Sequence, residues 1–227
     1  MIKVLSLGGS IIAPEQPDTD FLEKFNALIR AYLDRDSNRK LIIVTGGGGP
    51  ARIYQNSYKK IINESLNDQA DWIGIMATRL NAQLIKAVFA DICPGPVVYN
   101  PTETGIFAGK IMVAAGWKPG FSSDNDAVLL AERYSGDTVI NLSNIEKVYT
   151  DDPKKNPDAK PTDSISWTDF RKMIGDEWIP GKNVPFDPIA SRHAEKTGIK
   201  VICASGRNIE NLENILEERP FIGTVIG

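Results

Sequence analysis

Two periods govern the hydrophobic and polar positions along the chain. Short runs rich in aliphatic and β-branched residues read as strands: Ile2–Leu7, Leu41–Thr45, Ile111–Ala114, Thr138–Leu142 and Lys200–Cys203. Shorter runs at Val97–Tyr99, Lys147–Tyr149 and in the closing GTVI predict further, smaller strands. Between them the period lengthens to that of a helix. Phe21, Leu22, Phe25, Leu28, Ile29, Tyr32 and Leu33 form one apolar stripe, so Phe21–Leu33 is expected as an amphipathic helix with Asp18, Thr19 or Asp20 at its N-cap. Helices are also expected over Asp71–Ala90, Asp124–Tyr134, Trp167–Ile174, Pro188–Thr197 and Ile209–Leu216, and a loop over TDDPKKNPDAKP. Strands alternating with helices predict a mainly parallel sheet covered on both faces.

The predicted strands end in glycine. Gly8-Gly9-Ser10 follows the first, Gly46 to Gly49 follows the second, and Pro119-Gly120-Phe121-Ser122-Ser123-Asp124 follows the fourth, Ile111–Ala114. In a parallel sheet such ends share one edge, where ligands bind. Glycine contributes no contacts, so four in succession predict that something lies directly against the backbone, and N–H groups at a helix start favour an anion. Arg52, expected in the first helical turn after the run, could grip the same anion with its guanidinium fork.

Composition narrows the classes. The 227 residues carry 26 Lys plus Arg against 29 Asp plus Glu, a net charge of −3, which gives no support to nucleic-acid binding through bulk positive charge. No apolar run approaches membrane-spanning length and the N-terminus lacks a signal-peptide pattern, so a cytoplasmic protein is expected. Cys93 and Cys203 lie in or beside apolar runs and read as buried thiols.

Absent motifs narrow the chemistry. There is no GxxxxGK[ST], the one histidine, His193, sits in a helical stretch, and no His/Cys spacing suits a metal. No metal-ligating residue is expected. What remains is backbone donors, cations and a few carboxylates, which suits phosphoryl transfer to an acceptor that is already anionic and needs no general base. Asp124, at the start of its helix, reads either as an N-cap or as a carboxylate organising nearby cations or Mg²⁺. Asp151 and Asp152 read as part of a solvated charged loop.

The segments SLGGSII, GGGGPAR, DWIGIMATRLNAQLI, PGFSSDNDAVLLAE, VYTDDPKKNPDAK, DPIA and GTVI occur in an order and spacing that resembles the amino acid kinase superfamily, most closely the archaeal-type uridylate kinases. The resemblance spans nearly the whole chain and implies an α/β fold: a three-layer αβα sandwich with a mainly parallel central sheet. It implies one domain over residues 1–227, with an acceptor half at about 1–115 and an ATP half at about 116–227. It also implies transfer of the ATP γ-phosphate to UMP with Mg²⁺, in a homo-oligomer, a hexamer built from dimers. By the same resemblance Gly47, Gly48 and Arg52 would hold the UMP phosphate, Asp71 the ribose with Gly74 beside it, and Ser122 and Ser123 would line the acceptor site. Gly8, Gly9 and Ser10 would face the ATP phosphates, and Asn144, Tyr149, Asp152, Pro153 and Lys154 the ATP nucleoside. Asp124 would organise the transfer centre, and Lys118 or Lys182 is expected to supply the neutralising cation.

Several positions depart from the pattern. Ser6 stands where bacterial members carry lysine, a trait shared with archaeal-type relatives; Gly49 replaces the lysine of GGGK; and SNIEKVY stands for TNVDGVY. Alternatives that keep these loops are a kinase of another small anionic acceptor, a non-catalytic nucleotide- or oxoanion-storage protein, and a nucleotide sensor. A dimer contact is expected on the exposed face of Phe21–Leu33.

Overall fold

The structure, a computed structural model, describes residues 2–62, 66–103, 105–151, 156–175, 177 and 184–227. The chain opens with β1 (Ile2–Leu7), a single helical turn α1 (Gly9–Ile12), α2 (Thr19–Asp34) and β2 (Lys40–Thr45). A hairpin of helices, α3 (Gly48–Ile61) and α4 (Asn67–Val88), leads to β3 (Ile111–Ala114), α5 (Ser123–Arg133) and β4 (Thr138–Ser143). Three short strands follow, β5 (Val148–Tyr149), β6 (Pro161–Thr162) and β7 (Ser164–Ile165), then α6 (Trp167–Ile174) and α7 (Pro188–Thr197). The chain closes with β8 (Lys200–Ser205), α8 (Ile209–Leu216) and β9 (Thr224–Ile226).

Seven strands form one sheet in the order β3-β2-β1-β4-β8-β9-β7. The first five run parallel; β9 lies antiparallel to β8, and β7 parallel to β9. Side chains alternate between faces as the pleat requires. Leu5, Leu7, Leu41, Ile43, Val113 and Leu142 join the core under α1, α2, α4 and α8. Val4, Ile42, Val44, Met112, Val139 and Val201 join a second core under α5, α6 and α7. The expected three-layer αβα sandwich is therefore what forms. All seven apolar residues of the α2 stripe are buried, and Asp18 caps the helix by accepting from the Phe21 N–H at 3.0 Å. At the opposite edge from the strand tips, Arg35 and Arg39 both bind Glu217, and Lys3 binds Glu218, so the end of the chain is tied to its beginning.

Some expectations need correction. Val97–Tyr99 is not a strand: Val98 makes a single parallel bridge to Ala114, because the neighbouring residues turn away after one pair of bonds. α3 begins inside the glycine run at Gly48, which moves Arg52 from the first helical turn to the second. The exposed face of α2 is polar, whereas large exposed apolar residues gather on α3 and α4.

The four glycines have a reason beyond a ligand. β1 and β2 are in register from Ile2↔Lys40 to Leu7↔Thr45, so their following loops emerge side by side and press backbone against backbone. A Cβ on Gly9 would lie 2.0 Å from the Gly48 nitrogen, and one on Gly46 would lie 2.4 Å from the Gly9 nitrogen. A Cβ on Gly49 would lie 2.0 Å from the Pro14 oxygen. Gly48 in addition has φ +67°, which only glycine adopts readily. Because the obstructing atoms are backbone, Gly9→Ala is expected to cost about 3 kcal/mol or more. Gly95→Ala, which meets nothing within 4 Å, is expected to stay within about 0.5 kcal/mol of wild type. Urea unfolding of the two variants checks this, and equal midpoints would remove the packing argument.

Candidate active site

At the tips of β2 and β3 lies a cleft of about 230 Å³. Gly47, Ala51 and Gln55 line it from α3 and the turn before it, Asp71, Gly74, Ile75 and Thr78 from α4, and Gly116, Gly120, Phe121, Ser122 and Ser123 from the segment leading into α5. Five residues expected at the acceptor site (Gly47, Asp71, Gly74, Ser122 and Ser123) are thus brought together. Gly48 and Arg52 adjoin them on α3, where the exposed Arg52 donates to the Pro14 carbonyl at 3.2 Å. Among the described residues the N–H groups of Gly47 and Gly48 meet no acceptor, and neither do those of Gly9 and Ser10. Two sets of free donors therefore sit at neighbouring strand tips, in the glycine contact described above.

Polar residues of α4, invisible to a search for chemistry, hold these loops. Asn81, 3% exposed, donates to the Gly46 and Gly47 carbonyls at 2.8 and 3.3 Å. Thr78 accepts from the Gly116 N–H at 2.8 Å, and Arg79 donates to the Gly116 and Trp117 carbonyls. Thr45 donates its hydroxyl to the Thr78 carbonyl at 2.9 Å, which locks α4 to β2. The available signal was a polar pair, Thr78 and Asn81, three residues apart and so on one face of α4.

Three carboxylates crowd the β1–β4 side. Ser122, not Asp124, caps α5, accepting from the Asn125 N–H at 3.2 Å. Asp124 instead turns inward: Ser6 donates to it at 3.0 Å and the Asp187 N–H at 3.3 Å. Burial and the nearby Asp187 charge push its pKa up to about 6, against the pull of those two bonds. Asp126 is 1% exposed. It accepts from the Trp117 N–H at 3.2 Å, while its other oxygen meets no donor among the described residues. Burial pushes its pKa up to about 7, with Asp124 adding to the rise.

The remaining candidates are dispersed. Lys118 is exposed, its ammonium 4.0 Å from the Trp117 ring centre and 5.0 Å from that of Phe121. Gly8 donates to the Leu142 carbonyl at 2.9 Å, joining the first loop to β4. Asn144 is exposed after β4, and Tyr149 is half-buried in β5, opposite Pro161. Asp152, Pro153, Lys154 and Lys182 lie outside the described residues. His193 bonds Glu132 on the surface, away from the cleft, and both cysteines are buried and free. Among the described residues no group of three potential metal ligands occurs, and no helix is long and apolar enough to cross a membrane.

Fold and cleft together define an α/β protein with glycine loops at the carboxyl ends of its parallel strands, the edge where open α/β sheets bind ligands. The model of the amino acid kinase family matches residues 1–205, and the chain belongs to that family. It is 34% identical to the uridylate kinase of Methanospirillum hungatei JF-1, over 98% of this chain and 93% of that protein. It is 35% identical to the uridylate kinase of Thermoplasma volcanium, over 98% and 96%. The crystal structure of uridylate kinase from Archaeoglobus fulgidus superposes over the full length of both chains with a TM-score of 0.84 at 30% identity.

The two raised carboxylates make a pH prediction. A folded-state pKa of about 7 for Asp126 lies above the unfolded value of about 3.9, so the protonated form is favoured by folding. That stabilisation is complete below about pH 4 and is lost as pH rises through about 7; Asp124 acts with the same sign. Asp126→Asn should therefore be more stable than wild type by about 1–3 kcal/mol at pH 8, with the gap closing towards pH 4. Urea unfolding across this range checks it; parallel pH profiles would refute it.

Proposed function

We propose that this chain is a UMP kinase, transferring the ATP γ-phosphate to UMP to give UDP and ADP in the cytoplasm. The observation that carries the reading is the contact of Gly9 with Gly46 and Gly48, which sets two groups of unpaired N–H donors side by side. Donors so arranged can hold two phosphate chains end to end, which an in-line displacement needs. The acceptor phosphate rests on Gly47 and Gly48 with Arg52, and the acceptor ribose lies at Asp71 beside Gly74, while Ser122 and Ser123 close the site. ATP phosphates lie along Gly8, Gly9 and Ser10, with Asn144, Tyr149, Asp152, Pro153 and Lys154 around its nucleoside. The division into an acceptor half over about 1–115 and an ATP half over about 116–227 follows, although Ser122 and Ser123 reach back into the acceptor cleft.

The acceptor phosphate is itself the nucleophile, so no side chain need remove a proton. Asp124 is the catalytic carboxylate at the junction of the two nucleotides, and Lys118 or Lys182 supplies the cation. A magnesium ion bound with the ATP phosphates would supply neutralisation of charge on the transferred group. Such an ion takes one or two protein carboxylates, and Asp124 retains free lone pairs beside the bonds from Ser6 and Asp187, so it fits that place.

The assembly is a homo-oligomer, a hexamer built from dimers, and a second copy covers the α3–α4 hairpin. Trp72, Met76 and Leu80 form an exposed stripe at four-residue spacing on α4, continued by Ile53, Tyr54 and Ile61 on α3. A two-fold axis across α4 would pair this stripe with itself.

Incubation with ATP, Mg²⁺ and each nucleoside monophosphate should release ADP most rapidly with UMP; nucleotide binding without turnover would favour a storage or sensor role. Arg52→Met should raise the KM for UMP roughly 10- to 100-fold, the loss of a charge-assisted phosphate contact, with a smaller change in the KM for ATP. Met76→Glu should lower the mass measured by light scattering; an unchanged mass would place the interface elsewhere.

A further inference from the structure

Gln55 lies on the wall of the cleft, in the second turn of α3 and half-buried. Its amide nitrogen donates to the Ala70 carbonyl at 2.8 Å, crossing from α3 to α4. That bond determines which way the amide faces, since the reverse orientation would set two oxygens against each other. The amide occupies space that a side chain at position 74 would claim: a Cβ on Gly74 would lie 2.7 Å from the Gln55 nitrogen. Oε1 accepts from no donor among the described residues.

Asp71 stands one turn before Gly74 on the same face of α4 and also lines the cleft. One of its oxygens accepts from the Gly120 N–H at 3.2 Å, and the other meets no donor among the described residues. The neighbouring Thr78 hydroxyl is committed on both sides, to the Ile75 carbonyl and the Gly116 N–H. This part of the wall therefore presents two hydrogen-bond acceptors, carried by different helices and braced by protein contacts. Its complement is a ligand with two adjacent donors. A vicinal diol has that pattern; the edge of uracil, which runs acceptor, donor, acceptor, does not.

We propose that Gln55 is a specificity residue which, together with Asp71, reads the 2′,3′-diol of the acceptor ribose, so that the site selects ribonucleoside over deoxyribonucleoside monophosphates. The inference rests on the UMP kinase reading and adds to it a residue and a discrimination. Loss of one hydroxyl leaves one acceptor without its donor in the bound complex, and a site built to pair a hydroxyl rejects the analogue that lacks it. Since Gln55 is half-buried, water partly compensates, and a preference of about tenfold is expected rather than the far larger values of enclosed sites.

The test compares kcat/KM for UMP, 2′-deoxy-UMP and 3′-deoxy-UMP in wild type and in Gln55→Met. Methionine matches glutamine in length and helix propensity, so α3 persists. Wild type is expected to prefer UMP over at least one deoxy analogue by about tenfold, and the variant to lose about three- to tenfold on UMP while leaving that analogue within twofold of wild type. If all three substrates fall by one factor, Gln55 is only a brace between helices, and the inference fails while the enzyme assignment stands. The inference also fails if the variant changes nothing. If wild type transfers no phosphate to UMP, the underlying reading falls and takes this one with it.

Discussion

Everything at the active edge depends on two peptide loops touching without side chains between them. The strands β1 and β2 lie at ordinary sheet spacing, so the loops leaving them must either diverge or interpenetrate. Here they interpenetrate, with Gly9 seated among Gly46, Gly47 and Gly48. The cost is conformational entropy at each glycine. The return is a pair of donor-bearing turns fixed relative to each other by direct backbone packing rather than by flexible side chains. Asn81 reinforces the arrangement from below by engaging the carbonyls of the same turn, which leaves the N–H groups facing outward. Preorganisation of this kind lets a charge-transfer step proceed without reorganising its surroundings.

Charge is distributed unusually around that contact. Asp124 and Asp126, with Asp187 beside the first, place negative groups in poorly solvated positions, and the described protein supplies Ser6 and backbone N–H groups rather than a cation to meet them. The Ser6 hydroxyl returns one hydrogen bond to Asp124 but no charge. An enclosed carboxylate held this way is a standing cost to the fold, which bound cations would relieve.

Most of the scaffold was legible because its elements follow simple periods. Trp167–Ile174, Pro188–Thr197 and Ile209–Leu216 fall where the 3.6-residue stripe puts them, and Ile111–Ala114 where an apolar run stands alone. What escaped has identifiable causes. α1 is a single turn and offers too few residues for a period. β6 and β7 have two residues each and are held by partners elsewhere, Tyr149 and Ile226 among them. Val97–Tyr99 has strand-like residues but only one bridging position. In the site, the glycines and Asp71 could be named in advance, yet the reason for the glycines could not, because it lies in a contact between segments about forty residues apart. The same holds for Thr78, Asn81 and Gln55, whose importance comes from what they touch rather than from what they are.

The strand order has a consequence for how the molecule is made. β1 is the third strand of the sheet, with β2 on one side and β4 on the other, but β4 begins only at Thr138. Once β3 has joined β2, and until the residues between Ala114 and Thr138 have followed, β1 stands at the open border of a three-strand fragment, exposing unpaired peptide groups beside apolar Val4 and Leu5. The nascent chain therefore carries an adhesive margin until its second half emerges, and rapid synthesis or chaperone cover would protect it through that interval.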